Sequence, residues 1–172
     1  MKSRSFLALP ALLALTAPLA ESGSVPVRAR NGMVVSQNAI ASQVGTEVML
    51  AGGNAVDAAV ATAFALAVVH PAAGNLGGGG FLLLRPARGP AAVYDFREQA
   101  PAAATATMFL RDGKYSSELH HDSPLSVGVP GTVAGLNMAW TDNGRMPWKD
   151  LLQPAISLAR PSSHWSMARP MP

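Results

Sequence analysis

Apolar residues change their spacing from one segment of the chain to the next, and this spacing predicts the first two helices. In residues 39–51, Ile40, Val44 and Val48 recur every four positions, as they would on one buried face of a helix. Residues 55–69 have no polar face, which predicts a helix that is buried on all sides. Both segments are long enough to be helices rather than core strands.

Residues at the ends of these segments predict where the helices begin and stop. Gly52-Gly53 follows the first helix, as a glycine cap does. Asn54 can cap the second helix, and Asp57, three positions later, favours its positive end. His70-Pro71 stops that helix, so we interpret His70 as a capping residue.

Shorter apolar runs predict strands. Residues 32–36 form a short candidate strand, and residues 80–85 and 91–96 form a candidate hairpin joined by a proline- and glycine-containing turn. Phe81 to Leu84 is apolar throughout, which is typical of a strand covered on both faces.

The second half of the chain predicts further helices and an exposed loop. The alanine-rich residues 101–107 begin a candidate helix, and the polar residues 111–123 are predicted to be an exposed loop. A helix opens within residues 127–133 and runs to about Asp142, and an amphipathic helix spans residues 148–160.

The N-terminus has the pattern of a secretory signal peptide. Lys2 and Arg4 precede an uncharged apolar stretch, residues 6–20, which two prolines interrupt. Because this stretch is shorter than the roughly 20 residues that span a bilayer, we expect a cleaved signal peptide over residues 1–22 rather than a stable membrane anchor. Residues 23–31 are then a polar linker.

Composition excludes two classes of protein. Hydrophobic residues make up 49% of the chain, so enough apolar surface is available to form a core. This excludes a protein that is disordered over most of its length. The net charge is only +3, and no stripe of basic residues interleaved with aromatic ones is present, so nucleic acid is not an expected partner. The absence of cysteine is compatible with an exported protein that uses no disulfides.

Four successive glycines, Gly77 to Gly80, are the most unusual feature of the chain. A phosphate-binding loop leads from a strand into a helix, whereas here a helix precedes and a strand follows. A tight connection explains one or two glycines but not four. Close contact with another backbone segment or with a small ligand therefore fits better.

Arg97 is the candidate binding residue, at the end of the second hairpin strand. Its guanidinium offers two parallel donors that match a carboxylate. A surface ion pair with Asp95 or Glu98 is the alternative, and the local sequence leaves both interpretations open.

No catalytic residue or metal site is predicted within this chain. His120-His121 lies beside Asp122, but further metal ligands at suitable spacing are lacking. No serine lies in a nucleophile-elbow pattern, and no cofactor motif is present. We therefore expect neither a metal nor a cofactor.

Five motifs in order resemble the gamma-glutamyltranspeptidase family over about residues 32–160. They are Gly52-Gly53-Asn54-Ala55-Val56-Asp57-Ala58-Ala59, His70-Pro71 with Gly74-Asn75-Leu76-Gly77-Gly78-Gly79-Gly80-Phe81, Asp95-Phe96-Arg97-Glu98 with Ala100-Pro101, Pro130-Gly131-Thr132-Val133-Ala134-Gly135, and Gln153-Pro154-Ala155.

The resemblance implies an α+β fold, an incomplete portion of the four-layer αββα sandwich of N-terminal nucleophile hydrolases. Family members are made as a precursor that cuts itself into a large and a small subunit. A threonine at the new N-terminus then attacks the gamma-glutamyl amide of glutathione, and water, an amino acid or a peptide takes the acyl group. Bacterial members are commonly periplasmic or secreted.

One functional residue carries over from the family by motif. Arg97 is similar to the arginine that binds the α-carboxylate of the glutamyl substrate, and Glu98 is a candidate for positioning it. The resemblance makes the glycine run and Pro130-Gly131 shaping elements rather than catalytic groups.

The resemblance also implies that the nucleophile and the small subunit lie on polypeptide that this chain lacks. Residues 161–172 depart from the family pattern, and we expect them to form a disordered, non-homologous tail of a truncated or frameshifted reading frame. The chain alone is then expected to be inactive. The alternatives are a non-catalytic glutamate-binding or interaction fragment, and part of a related acylase such as a cephalosporin acylase.

Overall fold

The computed structural model of the protein describes residues 26–160. The predicted signal peptide and the predicted tail, residues 161–172, lie outside the described residues, as does the start of the linker. Residues 26–30 contain no helix or strand and form a separate unit from residues 31–160, which contain every element described below.

The described residues form an α+β arrangement with two small antiparallel hairpins. In chain order the elements are α1 (Ala39–Leu50), α2 (Ala55–Val69), β1 (Phe81–Leu84), β2 (Ala92–Asp95), β3 (Leu110–Arg111), β4 (Lys114–Tyr115), α3 (Ser117–His121), a 3₁₀ turn (Pro124–Ser126), α4 (Thr132–Asn143) and α5 (Trp148–Ala159). Strand β1 pairs with β2, and β3 pairs with β4.

The predicted ends of the first two helices are confirmed. Gly52 follows α1 with φ of +97°, a conformation in which glycine lacks the steric cost of other residues. The Asn54 side chain accepts from the backbone N–H groups of Val56 and Asp57. In return Asp57 Oδ2 accepts from the Asn54 N–H at 2.8 Å, which completes a capping box.

Helix α2 is the centre of the core, and α1, α4 and α5 pack against it. Val44 and Val48 of α1 are buried, as the four-residue spacing predicted, and Leu151 of α5 is buried completely. The Phe64 ring of α2 meets the Trp148 ring of α5 edge to face, with centroids 5.5 Å apart.

The prediction that α2 is buried on all sides is wrong for this part of the chain. Ala59 is exposed, and Ala63 and Leu66 are only partly covered. They line a groove of about 510 Å³ whose other wall includes residues 33–37. Three helices therefore cover only part of the α2 surface.

The hairpin of β1 and β2 has one covered and one exposed face. Its register places Phe81 opposite Asp95 and Leu84 opposite Ala92, as the sequence predicted a hairpin here. Leu82 and Leu84 pack on the core, but Phe81 is 62% exposed and Leu83 is 71% exposed. The prediction of a strand covered on both faces is therefore wrong within these residues.

Three further predictions from the sequence are wrong. Residues 32–36 form no strand, and residues 101–107 form turns instead of a helix. Residues 111–123 are largely exposed, as predicted, but instead of a loop they contain β4, α3 and part of β3. Asp112-Gly113 turns the small hairpin with positive φ at both positions, 53° and 75°.

The two C-terminal helices match their predictions more closely. Helix α4 begins at Thr132 and ends at Asn143. It does not begin earlier because Val129 pairs with Gln99 through the backbone. Helix α5 ends at Ala159. Among the helices of residues 26–160, none has the length and apolar character needed to cross a membrane.

Candidate functional site

The site is built around residues 95–98, where the chain leaves β2. On one side the Phe96 N–H donates to the Gly80 carbonyl at 3.0 Å, which extends the pairing of β1 and β2. On the other side Gln99 and Val129 exchange two backbone hydrogen bonds, at 3.2 and 2.8 Å. The backbone of Arg97 thus lies between two paired segments.

The glycine run packs its backbone directly on this segment. A Cβ atom on Gly79 would lie 2.5 Å from the Phe96 carbonyl oxygen and 2.8 Å from the Arg97 Cα. The Gly78 carbonyl accepts from the N–H groups of Gly131 and Thr132, at 2.8 and 3.0 Å. Close contact with another backbone segment, one of the two explanations predicted, therefore accounts for Gly79, whereas a Cβ atom on Gly78 would meet the Asn75 side chain.

Phe96 fixes the same segment from the side of α4. Its ring lies where a Cβ atom on Gly135 would be, and a Cβ atom on Gly131 would overlap its carbonyl oxygen. Since the ring packs against the core, the side chain next in sequence, Arg97, points the opposite way, toward the exposed surface.

A polar contact ties β2 to the far end of α4. Tyr94 Oη donates to Asp142 Oδ2 at 3.0 Å and accepts from Asn143 Nδ2 at 2.7 Å. Loss of hydration raises the pKa of the Tyr94 phenol above its usual 10.0; the Asn143 amide opposes this rise, and Asp142 adds to it. The phenol is accordingly neutral at physiological pH.

The Arg97 guanidinium projects from this segment and has no carboxylate partner among residues 26–160. The one ion pair within residues 26–160 joins Arg111 to Glu118, so the alternative of a surface pair with Asp95 or Glu98 is not formed. Asp95 instead accepts from the backbone N–H of Arg97 at 3.1 Å. The guanidinium carbon lies 6.0 Å from the centre of the Phe81 ring, the outer limit for a cation–π contact.

Sequence reasoning missed two polar residues behind the site. Asn75 Oδ1 accepts from the Gly78 N–H at 2.9 Å and from Thr132 Oγ1 at 2.8 Å. An asparagine just before a glycine run and a threonine at the first position of a helix are the only signals that the sequence offers. Neither signal identifies the other residue as its partner.

The histidines of α3 are engaged locally. The Tyr115 hydroxyl lies 2.8 Å from His120 Nδ1 and 3.4 Å from His121 Nε2, and the two imidazole rings lie against each other. Residues 26–160 contain no group of three or more His, Asp or Glu side chains placed to hold a metal ion.

Comparisons with known proteins all indicate the same family. The sequence profile of the gamma-glutamyltranspeptidase family matches residues 41–163. The chain is 55% identical over 136 residues to the glutathione hydrolase proenzyme of Escherichia coli (strain K12), covering 78% of this chain and 23% of that protein.

Solved structures agree with the sequence comparison. The Helicobacter pylori gamma-glutamyltranspeptidase superposes with a TM-score of 0.74 at 48% identity, over 78% of this chain and 39% of that one. A cephalosporin acylase from Bacillus halodurans superposes with a TM-score of 0.60 at 30% identity, over 79% of this chain and 26% of that one.

The chain spans about a quarter of the length of the Escherichia coli relative. Its α+β arrangement is an incomplete portion of an N-terminal nucleophile hydrolase fold, as the resemblance implied. The matched profile covers more than half of the chain, and so the chain belongs to the gamma-glutamyltranspeptidase family.

Proposed function

We propose that residues 95–98 belong to the site of a glutathione hydrolase that binds the α-carboxylate of the glutamyl substrate. Arg97 is the residue that binds this carboxylate. The observation that carries the proposal is an exposed guanidinium that no carboxylate of the described part of the chain pairs with, on a backbone segment hydrogen-bonded on both sides. The higher identity to a glutathione hydrolase than to a cephalosporin acylase favours a gamma-glutamyl donor.

Arg97 would act by binding and orienting the donor. Two parallel N–H groups of a guanidinium meet both oxygens of a carboxylate, which fixes the direction of the glutamyl chain as well as its position. The γ-carbonyl at the other end is then presented to the nucleophile in a single pose. Arg97 itself forms no bond to the reacting carbon.

The reaction itself would use a threonine on polypeptide outside these 172 residues. Its hydroxyl oxygen bonds to the γ-carbonyl carbon as the amine of the donor leaves with a proton, and its own amino group serves as the base. Water, an amino acid or a peptide then takes the acyl group and frees the threonine. We propose that the chain without that threonine has no activity and that residues 1–22 direct export to the periplasm or medium.

A chimera tests this assignment. The 136-residue stretch of the Escherichia coli glutathione hydrolase proenzyme that matches this chain is replaced by its counterpart from this chain, hereafter the chimera. We expect the chimera to process itself and to hydrolyse glutathione, and we expect the 172-residue chain alone to release no glutamate. A soluble, processed chimera without turnover would contradict the proposal, and so would turnover by the isolated chain.

Two glycines of the same run make a matched pair for stability. Gly79→Ala places a methyl group against backbone atoms of Phe96 and Arg97, which must move, and we expect a loss of about 1–3 kcal/mol in the free energy of unfolding. Gly77→Ala meets no atom within 4 Å, so we expect a change within about 0.5 kcal/mol.

Urea unfolding of the chimera measures both variants. We also expect Gly79→Ala to raise KM for glutathione, because the displaced atoms belong to the backbone that carries Arg97. Equal unfolding midpoints for Gly79→Ala and Gly77→Ala would show that the close backbone approach does not exist in solution.

A further inference from the structure

We infer that Thr132 and Asn75 are positioning residues for Arg97: their hydrogen bond holds the backbone segments that aim its guanidinium at the substrate carboxylate. This inference rests on the proposed function, since it assigns a role in the same site. Neither side chain contacts the Arg97 guanidinium, so any effect on substrate must pass through the backbone between them.

The hydrogen bond joins the loop after α2 to the start of α4. Asn75 Oδ1 receives both the Gly78 N–H, at 2.9 Å, and Thr132 Oγ1, at 2.8 Å. A backbone N–H can only donate, so the atom facing Gly78 is the amide oxygen and Thr132 must be the donor in its pair. Thr132 is 9% exposed, whereas Asn75 is exposed, so the Thr132 hydroxyl is the more buried end of this hydrogen bond.

The same two segments meet a second time through the backbone. The Gly78 carbonyl accepts from the Gly131 and Thr132 N–H groups, which would otherwise lack partners at the start of α4. Helix α4 begins at Thr132 without a side-chain cap of its own. The Gly78 carbonyl thus takes the place of a side-chain cap for this helix.

Both segments joined by this hydrogen bond also touch the backbone next to Arg97. Gly79 lies against the Phe96 carbonyl and the Arg97 Cα, and Gly131 lies against the same carbonyl from the α4 side. A change in the separation of Gly79 and Gly131 must therefore move the peptide between Phe96 and Arg97. A two-point contact with a carboxylate is sensitive to such a shift, because both N–H groups must stay in line with both oxygens.

Thr132→Val and Thr132→Ser, introduced into the chimera, form a matched pair. Valine keeps the branched shape and removes the hydroxyl, whereas serine keeps the hydroxyl and removes a methyl group. We expect Thr132→Val to raise KM for glutathione about fivefold, as loss of one neutral hydrogen bond would, with kcat per processed enzyme little changed. Thr132→Ser should keep the parent KM, and Asn75→Asp, which retains the acceptor, should stay closer to the parent than Asn75→Ala.

The combination with Arg97→Met separates positioning from a general structural effect. If Thr132 acts through Arg97, adding Thr132→Val to Arg97→Met leaves KM where Arg97→Met alone puts it. A merely structural role lowers the amount of folded enzyme, and so lowers the apparent kcat, without raising KM.

Two different failures are distinguishable in this experiment. A parent-like KM in Thr132→Val, or a further rise in KM when it is added to Arg97→Met, overturns the positioning role while leaving Arg97 as the carboxylate site. A parent-like KM in Arg97→Met itself overturns the proposed function.

Discussion

Replacing Asp57 by alanine is expected to destabilise the chimera by about 3–5 kcal/mol, the largest stability effect of any single substitution considered for this chain. Its carboxylate is fully buried. Oδ2 accepts from the Asn54 N–H at 2.8 Å, and both oxygens accept from the Arg145 N–H at 3.1 Å. Met146 N–H adds a longer contact at 3.4 Å.

The size of this effect follows from what alanine leaves behind. The Arg145 and Met146 N–H groups would lose the acceptor that the fully buried Asp57 provides, and each donor left unpaired away from water costs about 1–3 kcal/mol. The start of α2 would also lose half of its capping box. Together these losses approach the 5–15 kcal/mol that typically separates folded from unfolded protein.

Asp150→Ala is the matched control for this substitution. Asp150 is likewise an acidic residue in the first turn of a helix, α5, but it is exposed. Only its interaction with the helix dipole is lost, worth about 0.3–1 kcal/mol. Chemical unfolding of the chimera carrying Asp57→Ala and of the chimera carrying Asp150→Ala measures the difference in their free energies of unfolding. Equal midpoints would mean that Asp57 acts as an ordinary helix-end charge and does not join α2 to the turn before α5.

Replacing Arg97 by methionine is expected to raise KM for glutathione by roughly 100-fold or more, the loss that follows removal of a two-point charged hydrogen bond. Methionine keeps much of the length of the side chain, and its thioether can pack against the Phe81 ring in place of the guanidinium. Because Arg97 binds a group remote from the reacting carbonyl, most of the loss should appear in KM when glutathione is limiting.

Two controls interpret this result. Arg97→Lys keeps the positive charge but not the paired donors, so its KM should fall between those of the parent and Arg97→Met. Arg85→Met removes an exposed arginine from the end of the other strand of the hairpin and should leave KM unchanged. If Arg85→Met raised KM as much as Arg97→Met does, the overall positive charge of the surface, and not the paired N–H donors of Arg97, would attract the donor substrate.

Local chemistry predicted the elements whose signals lie within a few residues. Asn54 and Asp57 predicted the start of α2 because a capping box involves only neighbouring residues. The hairpin of β1 and β2 was likewise predicted from two apolar runs and a turn. The glycine run was predicted to meet another backbone segment or a small ligand. The structure shows the backbone contact, with residues 96–98 and 131–132, which the sequence could not name.

The wrong predictions have physical causes. A strand requires a partner, and residues 32–36 have none among the described residues. The alanine-rich residues 101–107 have helical composition, but their backbone forms two separate turns. The Ala104 N–H donates to the Pro101 carbonyl, and the Met108 N–H donates to the Thr105 carbonyl. The small hairpin was missed even though Asp112-Gly113 is a known turn signal.

The contacts that support the site were beyond the reach of sequence patterns. Asp57 was predicted as a helix-end charge, yet two of the three residues that donate to it lie 88 and 89 positions further along the chain. Thr132 and Asn75 are separated by 57 positions, and nothing in either segment indicates the other. Such long-range polar pairs depend on how α2, the hairpin and α4 pack together.

The most direct test of the central claim removes the carboxylate from the substrate as well as the guanidinium from the protein. The donors are γ-glutamyl-p-nitroanilide and 4-aminobutyryl-p-nitroanilide, which lacks only the α-carboxylate, and each is given to the chimera and to its Arg97→Met variant. If Arg97 binds that carboxylate, removing it lowers kcat/KM of the chimera on the order of 100-fold but changes kcat/KM of Arg97→Met little. An equal loss in both enzymes would show that another residue recognises the carboxylate.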